Sequence, residues 1–136
     1  MPNTNSDFPV WFMGHPIAPD EKHGFVNENL THVNKLVRIF YNAGFRVVTP
    51  YHNLVATLDD ANPEMRRVGL EVDCVMVQML GRLILTGHKI SNGMQIELDA
   101  LVELYPEAHT EGRVLNFIGI PDAHIPSVLE YRLRHG

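Results

Sequence analysis

Short apolar runs that alternate with longer segments of helical spacing constrain the fold of this chain most. Each run is too short, and too closely bounded by glycine or proline, to form a helix. The predicted strands are residues 10–14, 45–49, 83–86 and 114–120. Strands separated by helices must be parallel, with right-handed crossovers. The order β-α-β-α-β-α-β therefore predicts an α/β fold, a small Rossmann-like three-layer sandwich with a parallel sheet of four to five strands.

Three segments with helical spacing separate these strands. The first carries apolar residues from Leu30 to Ala43, with Asn27 or Asn29 as its cap and Gly44 as its stop. The second opens with Asn62 as cap and Pro63 at the first helical position, and ends before Gly81. Its apolar side chains fall on one stripe: Met65, Val68, Val72, Met76 and Met79. The third follows Ser91 or Asn92, and residues 126–134 predict a last short helix.

Length and composition predict one domain. With 136 residues and 45% hydrophobic composition, the chain can bury a core over residues 9–136, after a disordered N-terminus at 1–8. With a net charge of −5, the chain has no excess of positive charge with which to bind nucleic acid or an anionic membrane surface. The start lacks a signal peptide, and no apolar run approaches a membrane span of about 20 residues. We therefore expect a cytoplasmic protein, and its single cysteine excludes an internal disulfide.

Polar side chains cluster in the loops after the predicted strands, where parallel sheets bind ligands. Gly14 and Gly87 end two strands, and His15, His52 and His88 follow the first three. These histidines could bind a phosphate or a metal. No HExxH or HxH spacing supports a metal, so we predict no metal and no other cofactor. The remaining histidines are interpreted as surface residues: His23, His32, His109, His124 and His135.

Two carboxylates are the candidate catalytic groups. Glu97 lies inside the third helix, predicted on the side opposite Leu98 and Leu101, where it either points into the ligand crevice or merely favours the helix dipole. Asp73 lies beside the apolar stripe of the second helix, where it must be paired or reach water. Two carboxylates in different environments are the usual requirement for one nucleophile and one general acid.

The start of the third helix is the candidate anion site. Ser91 or Asn92 can cap it and Gly93 allows close backbone approach, so free N–H groups would face the crevice. An ordinary capped helix is the alternative. Trp11 and Phe12 are interpreted as core residues, although an aromatic at a strand end can also stack on a base. The chain lacks the Walker loop, the G-x-G-x-x-G fingerprint and the G-x-S-x-G elbow.

The motifs VWFMGHPI, AGFRVVTPYH and LILTGHKISNGMQIEL, with an acid on the second helix, resemble the nucleoside 2-deoxyribosyltransferase-like superfamily, including its uncharacterised phage and bacterial branch. The resemblance runs from about Val10 to Leu104. It implies cleavage of a base–sugar bond by a homodimer or larger assembly, with Glu97 as nucleophile and Asp73 helping to protonate the leaving base.

The residue six before the nucleophile indicates the substrate. In the family this position tends to be acidic in transferases acting on nucleosides and serine in hydrolases acting on 5′-monophosphates, and here it is Ser91. The resemblance therefore implies an N-glycosidase for nucleoside 5′-monophosphates, with His15 or His88 as further phosphate ligands. A deoxyribosyltransferase and a non-catalytic nucleotide-binding protein are the alternatives. The apolar second helix would suit a dimer face if its far side is exposed.

Overall fold

A computed structural model of the chain describes residues 9–17, 26–51 and 62–135. The N-terminus predicted to be disordered and His52 lie outside these residues. The strands are β1 (Val10–Gly14), β2 (Arg46–Val48), β3 (Leu83–Leu85) and β4 (Val114–Asn116). The helices are α1 (Val26–Asn42), α2 (Pro63–Leu80), α3 (Asn92–Leu104) and α4 (Ile125–His135), the last preceded by a 3-10 turn at Asp122–His124.

The described strands form one parallel sheet in the order β2-β1-β3-β4. In this order Phe12 of β1 is paired with both Val48 of β2 and Leu83 of β3. The chain leaves β1 toward one edge of the sheet and leaves β3 toward the other, so β1 and β3 flank the switch point where such folds bind ligands. The predicted α/β class with a small Rossmann-like architecture is confirmed.

Alternation along the strands divides the core into two layers. Phe12, Leu83 and Leu85 pack with Val77 of α2 and Leu101 of α3. On the other face, Trp11, Met13 and Ile84 pack with Leu36 and Phe40 of α1 and with Ile125 and Leu129 of α4. Helices α2 and α3 therefore cover one face of the sheet, and α1 and α4 cover the other.

The structure corrects several predicted element boundaries. Helix α2 starts as predicted, because the Asn62 side chain accepts hydrogen bonds from the N–H groups of Glu64 and Met65. Helix α1 instead begins at Val26, before both asparagines predicted as caps, and the Asn29 amide donates to the carbonyl of Ile17 at 2.7 Å. Strand β4 ends at Asn116 rather than at residue 120, because the Asn116 side chain accepts from the N–H of Ile118 and turns the chain.

The apolar stripe of α2 does not face the core. Val72 is 38% exposed, Val75 54% and Met79 72%, whereas Asp73 and Val77 are the buried residues of this helix. Only Met76 of the predicted stripe packs, in part, against the core. None of the described helices combines the length and apolar character that a membrane span requires.

Candidate functional site

A pair of buried carboxyl groups joins α2 to α3. Asp73 of α2 is 5% exposed and Glu97 of α3 is 4% exposed. Glu97 lies on the same side of α3 as Leu101, one turn further along, and not on the opposite side as expected, because residues four apart share a helix face. The structure therefore brings together the two acids that the sequence proposed as a pair.

The environment of the pair favours a neutral carboxyl group. Burial, followed by the charge of Asp73 and a hydrogen bond with it, raises the pKa of Glu97 well above its ordinary value. Two carboxyl groups in hydrogen-bond contact cannot both ionise cheaply in a buried site, so we expect them to hold one proton between them at neutral pH. One group can then act as an acid while the other carries the negative charge.

One oxygen of Glu97 faces the end of β1. Among the described residues, Glu97 Oε1 has no hydrogen-bond partner although it is buried. A Cβ atom built on Gly14 would lie 3.3 Å from this oxygen, so glycine leaves room in front of the carboxyl group. A buried acceptor without a donor is costly in a folded protein, and such groups occur where a ligand or water completes the contact. Glu97 is thus aimed at the switch point.

Close contacts hold the loops after β1 and β3 together beside Glu97 Oε1. The Thr86 hydroxyl and N–H both donate to the Gly14 carbonyl, at 2.8 and 2.9 Å. Gly87 adopts φ 100°, and a Cβ there would meet Pro16 Cδ at 2.6 Å, so only glycine fits against the loop after β1. Gly87 therefore allows the loops after β1 and β3 to approach closely, and Gly14 leaves space for the Glu97 carboxyl group of α3.

Tyr51 is a member of the site that the sequence analysis did not single out. Its hydroxyl donates to the Met13 carbonyl at 2.6 Å, and its ring packs against Phe12. Burial first, then the charges of Glu97 and Asp73, raise its pKa well above its ordinary value. Its place shortly after β2 is the signal that could have found it, because the sequence analysis singled out the neighbouring His52 in the same loop.

The start of α3 has the predicted form. Ser91 is the N-cap: its hydroxyl oxygen accepts from the Met94 N–H at 3.2 Å. The N–H groups of Asn92 and Gly93 occupy the first turn, where a helix supplies no internal acceptor. Asn92 is exposed and Gly93 is half-buried. This end of α3 belongs to the same helix as Glu97, so an anion held there would lie about two turns from the carboxyl group.

His15 does not have the free ring that a phosphate ligand needs. Its Nδ1 lies 2.7 Å from the Pro16 carbonyl oxygen and its Nε2 lies 2.8 Å from His32 Nδ1. Burial is the largest cause that lowers its pKa to about 4. His15 is therefore neutral at neutral pH, and both of its nitrogens are already engaged. His88 is exposed on the loop after β3.

His32 is only half-exposed and belongs to an ion pair, whereas the sequence analysis placed it on the surface. Its Nε2 lies 2.9 Å from Asp122 Oδ2, and Lys35 Nζ lies 3.4 Å from the same oxygen. Burial opposes the charge of Asp122, but hydrogen bonds and charges from His32 and then Lys35 outweigh it and lower its pKa. No sequence signal links His32 to Asp122, because 90 residues separate them.

A cavity of about 210 Å³ opens beside this ion pair, at the ends of β3 and β4. His32, His88 and Asp122 form polar parts of its lining, and Leu36 and Phe117 form apolar parts. Neither Glu97 nor Asp73 lines it. The cavity and the carboxyl pair thus lie on different sides of the loop after β3.

Trp11 and Phe12 lie in the core. Trp11 is 7% exposed and packs against Phe45 with Arg82 over its ring, while Phe12 is fully buried. Within the described ranges, no three potential metal ligands of the His, Cys, Asp and Glu types come together.

Fold and site together define a class: a doubly wound α/β domain with a buried carboxyl pair at its switch point. A family model described as a domain of unknown function, DUF7768, matches residues 14–107. This range covers more than half of the chain and contains both carboxyl groups. The chain belongs to that family. Comparison with curated proteins finds no match.

Proposed function

We propose that the protein is an N-glycosidase that cleaves the base–sugar bond of a nucleoside 5′-monophosphate or its deoxy form. The observation that carries this proposal is the buried pair of Glu97 and Asp73, with an unpartnered oxygen of Glu97 facing Gly14 at the switch point. The resemblance of the sequence motifs to the nucleoside 2-deoxyribosyltransferase-like superfamily supports the same roles for both acids.

The reaction has two displacements. In the first, a carboxylate oxygen of Glu97 bonds to the anomeric carbon, the carbon–nitrogen bond breaks, and the departing base takes a proton from Asp73. In the second, Asp73 removes a proton from water, the water oxygen bonds to the anomeric carbon, and the ester to Glu97 breaks. The products are the free base and a sugar 5-phosphate, and both carboxyl groups return to their starting states.

The proton must lie on Asp73 when Glu97 attacks. Burial favours a neutral Glu97 in the protein alone. Positive charge develops on the sugar as the base leaves, and this charge favours an ionised carboxyl group beside it. The two acids touch one another here, whereas carboxyl groups that flank a sugar bond in retaining glycosidases stand about 5 Å apart. Substrate binding should therefore replace the hydrogen bond between them and leave the proton on Asp73.

The start of α3 is the proposed phosphate site. The Ser91 hydroxyl can still donate its proton, and the N–H groups of Asn92 and Gly93 add donors at the positive end of the helix dipole. His88 stands exposed on the adjoining loop. His15 is left out of this set, because both of its ring nitrogens are engaged.

The test is incubation of the purified protein with ribo- and deoxynucleosides and their 5′-monophosphates, followed by chromatography for free base. Release from the monophosphates alone is the expected result. Release from nucleosides but not from their monophosphates would contradict the phosphate assignment. Adding a second free base distinguishes a transferase, because the new nucleotide then forms.

A non-catalytic nucleotide-binding protein is the second candidate. The raised pKa of Glu97 favours it, because a protonated carboxyl group is not a nucleophile. This candidate predicts that a monophosphate binds and is recovered intact after long incubation.

We also propose that the protein acts in the cytoplasm as a homodimer that pairs through α2. The exposed residues Met65, Val68, Val72, Val75 and Met79 recur at alternating steps of three and four, the a and d spacing of a helix–helix seam. A second copy of the same helix presents the same spacing, which makes the seam self-complementary. Arg67 and the glutamates with which it pairs, Glu64 and Glu71, flank the seam with charges of both signs.

A further inference from the structure

We propose that His32 and Asp122 are positioning residues for the site that contains Glu97 and Asp73. With His15 they form a chain of three hydrogen bonds that holds one extra proton. This chain fixes loop 14–16 beside Glu97. The assignment of a catalytic role to Glu97 rests on the proposed function. The proton count and the mechanical link to Glu97 do not, and they can be tested separately.

The chain runs from a carbonyl group to a carboxylate. Its contacts are the Pro16 carbonyl to His15 Nδ1 at 2.7 Å, His15 Nε2 to His32 Nδ1 at 2.8 Å, and His32 Nε2 to the Asp122 carboxylate at 2.9 and 3.0 Å. We refer to these four residues as the histidine chain. It ties the loop after β1, helix α1 and the 3-10 turn before α4 to one another.

Counting protons shows that the histidine chain is charged. The carbonyl at one end and the ionised carboxylate at the other can only accept hydrogen bonds, so each of the three contacts needs one proton on a ring nitrogen. Two neutral imidazole rings carry two protons. The third proton makes the pair of rings a cation when Asp122 is ionised.

The surroundings place the extra proton on His32. His15 is buried, and burial lowers its pKa to about 4, so it stays neutral with its proton on Nδ1 and accepts at Nε2. His32 then donates through both nitrogens, to His15 and to Asp122. The other charged or titratable groups that act on this chain are Lys35, which pairs with Asp122, and His88, whose charge acts on His15.

The histidine chain reaches the carboxyl pair through two adjacent residues. His15 directly follows Gly14. The space between Gly14 and Glu97 is small, because a Cβ atom built on Gly14 would lie 3.3 Å from Glu97 Oε1. The other side of the same loop is pinned by Pro16 against Gly87. If the His15–His32 contact is lost, the loop keeps its hydrogen bond from the Asn29 amide of α1 to the Ile17 carbonyl but loses the attachment nearest to Gly14. Residues 14–16 then loosen, and water gains access to Glu97.

The first test reads the protonation state directly. Nitrogen NMR of the full-length, isotope-labelled protein near neutral pH should show His32 with both nitrogens protonated and His15 neutral with its proton on Nδ1. In Asp122→Asn, the amide can donate to a neutral His32, so the ring should lose its extra proton while the fold is kept. A neutral His32 in the wild type, or an unchanged cation in Asp122→Asn, overturns the proton count.

The second test reads the link to Glu97 without any assay of activity. In His32→Asn, the titration midpoint of the Glu97 carboxyl carbon should move down toward its ordinary value, because water enters as the loop loosens. His109→Asn makes the same change at an exposed site and should leave the midpoint in place. An unchanged midpoint in His32→Asn overturns the positioning role.

If base release is found, His32→Asn should lower its kcat about tenfold with little change in KM, since the loop borders Glu97 and not the proposed phosphate site. A rise in KM at unchanged kcat would instead overturn this placement. Both NMR tests still apply if the protein releases no base. Failure of the proposed function and failure of the positioning role are therefore distinguishable.

Discussion

The carboxyl groups of Asp73 and Glu97 are hydrogen-bonded to one another inside the protein, where helix α2 packs against helix α3. Pairing two acids in the interior costs stability that a pair of apolar residues would not cost. Proteins keep such arrangements where chemistry needs them, and residues with strongly shifted pKa values cluster at functional sites. The pair therefore marks the candidate functional site of this domain.

Glu97→Gln should stabilise the protein, and more so at higher pH. Because the pKa of Glu97 is raised in the folded state, the unfolded chain releases this proton from about its ordinary value of 4.5 upward while the folded chain keeps it. The contribution of the protonated Glu97 to the free energy of unfolding is thus fully present at lower pH and falls as pH rises. The glutamine side chain does not titrate in this range. The difference in free energy of unfolding between Glu97→Gln and the wild type should therefore grow by about 1–2 kcal/mol from about pH 4 to about pH 7.5.

Urea unfolding at both pH values measures this difference. Asp99→Asn, at an exposed position of the same helix, is the matched control and should show little pH-dependent gain. An equal effect of Glu97→Gln at both pH values would show that the pKa of Glu97 is not raised.

Gly87→Ala should destabilise the protein far more than Gly44→Ala. Both glycines have positive φ, 100° and 92°, so alanine pays a similar backbone cost of about 1 kcal/mol at each. A Cβ at Gly87 would also meet Pro16 Cδ at 2.6 Å, whereas a Cβ at Gly44 would meet nothing within 4 Å. We expect a total loss of about 2–4 kcal/mol for Gly87→Ala by urea unfolding. Equal losses would mean that loop 14–16 does not press on Gly87.

Val75→Glu should convert a dimer into a folded monomer. Val75 is 54% exposed at the middle of the α2 seam, where a charge would be buried between two copies. Sedimentation equilibrium gives the mass of each variant, and circular dichroism checks the fold. Tyr131→Glu, on an exposed part of α4, should remain dimeric. A monomeric wild type would contradict pairing through α2.

The sequence predicted the sheet well because its strands are bounded by local signals. The glycines and prolines after each apolar run, and the cap at Asn62, act within a few residues of the element that they end. The parallel sheet then follows from connectivity. Strand β4 was predicted too long because Asn116 turns the chain through its side chain, which apolar content alone does not reveal.

Orientation and long-range pairing were less predictable. The stripe of α2 was identified correctly as apolar, but an exposed apolar stripe looks the same in sequence as one that faces the core. Glu97 was assigned to the wrong side of α3, although its spacing of four from Leu101 already indicated a shared face. The contact of His32 with Asp122 depends on how α1 and the 3-10 turn pack, which no local pattern encodes.

The most direct test of the central claim compares base release by the wild type, Glu97→Ala and Asp99→Ala on the same nucleoside 5′-monophosphate. We predict release by the wild type and Asp99→Ala, and a loss of at least about a thousandfold in Glu97→Ala, because the nucleophile is gone. A folded Glu97→Ala that releases base at the wild-type rate would contradict the assignment of Glu97 as the nucleophile.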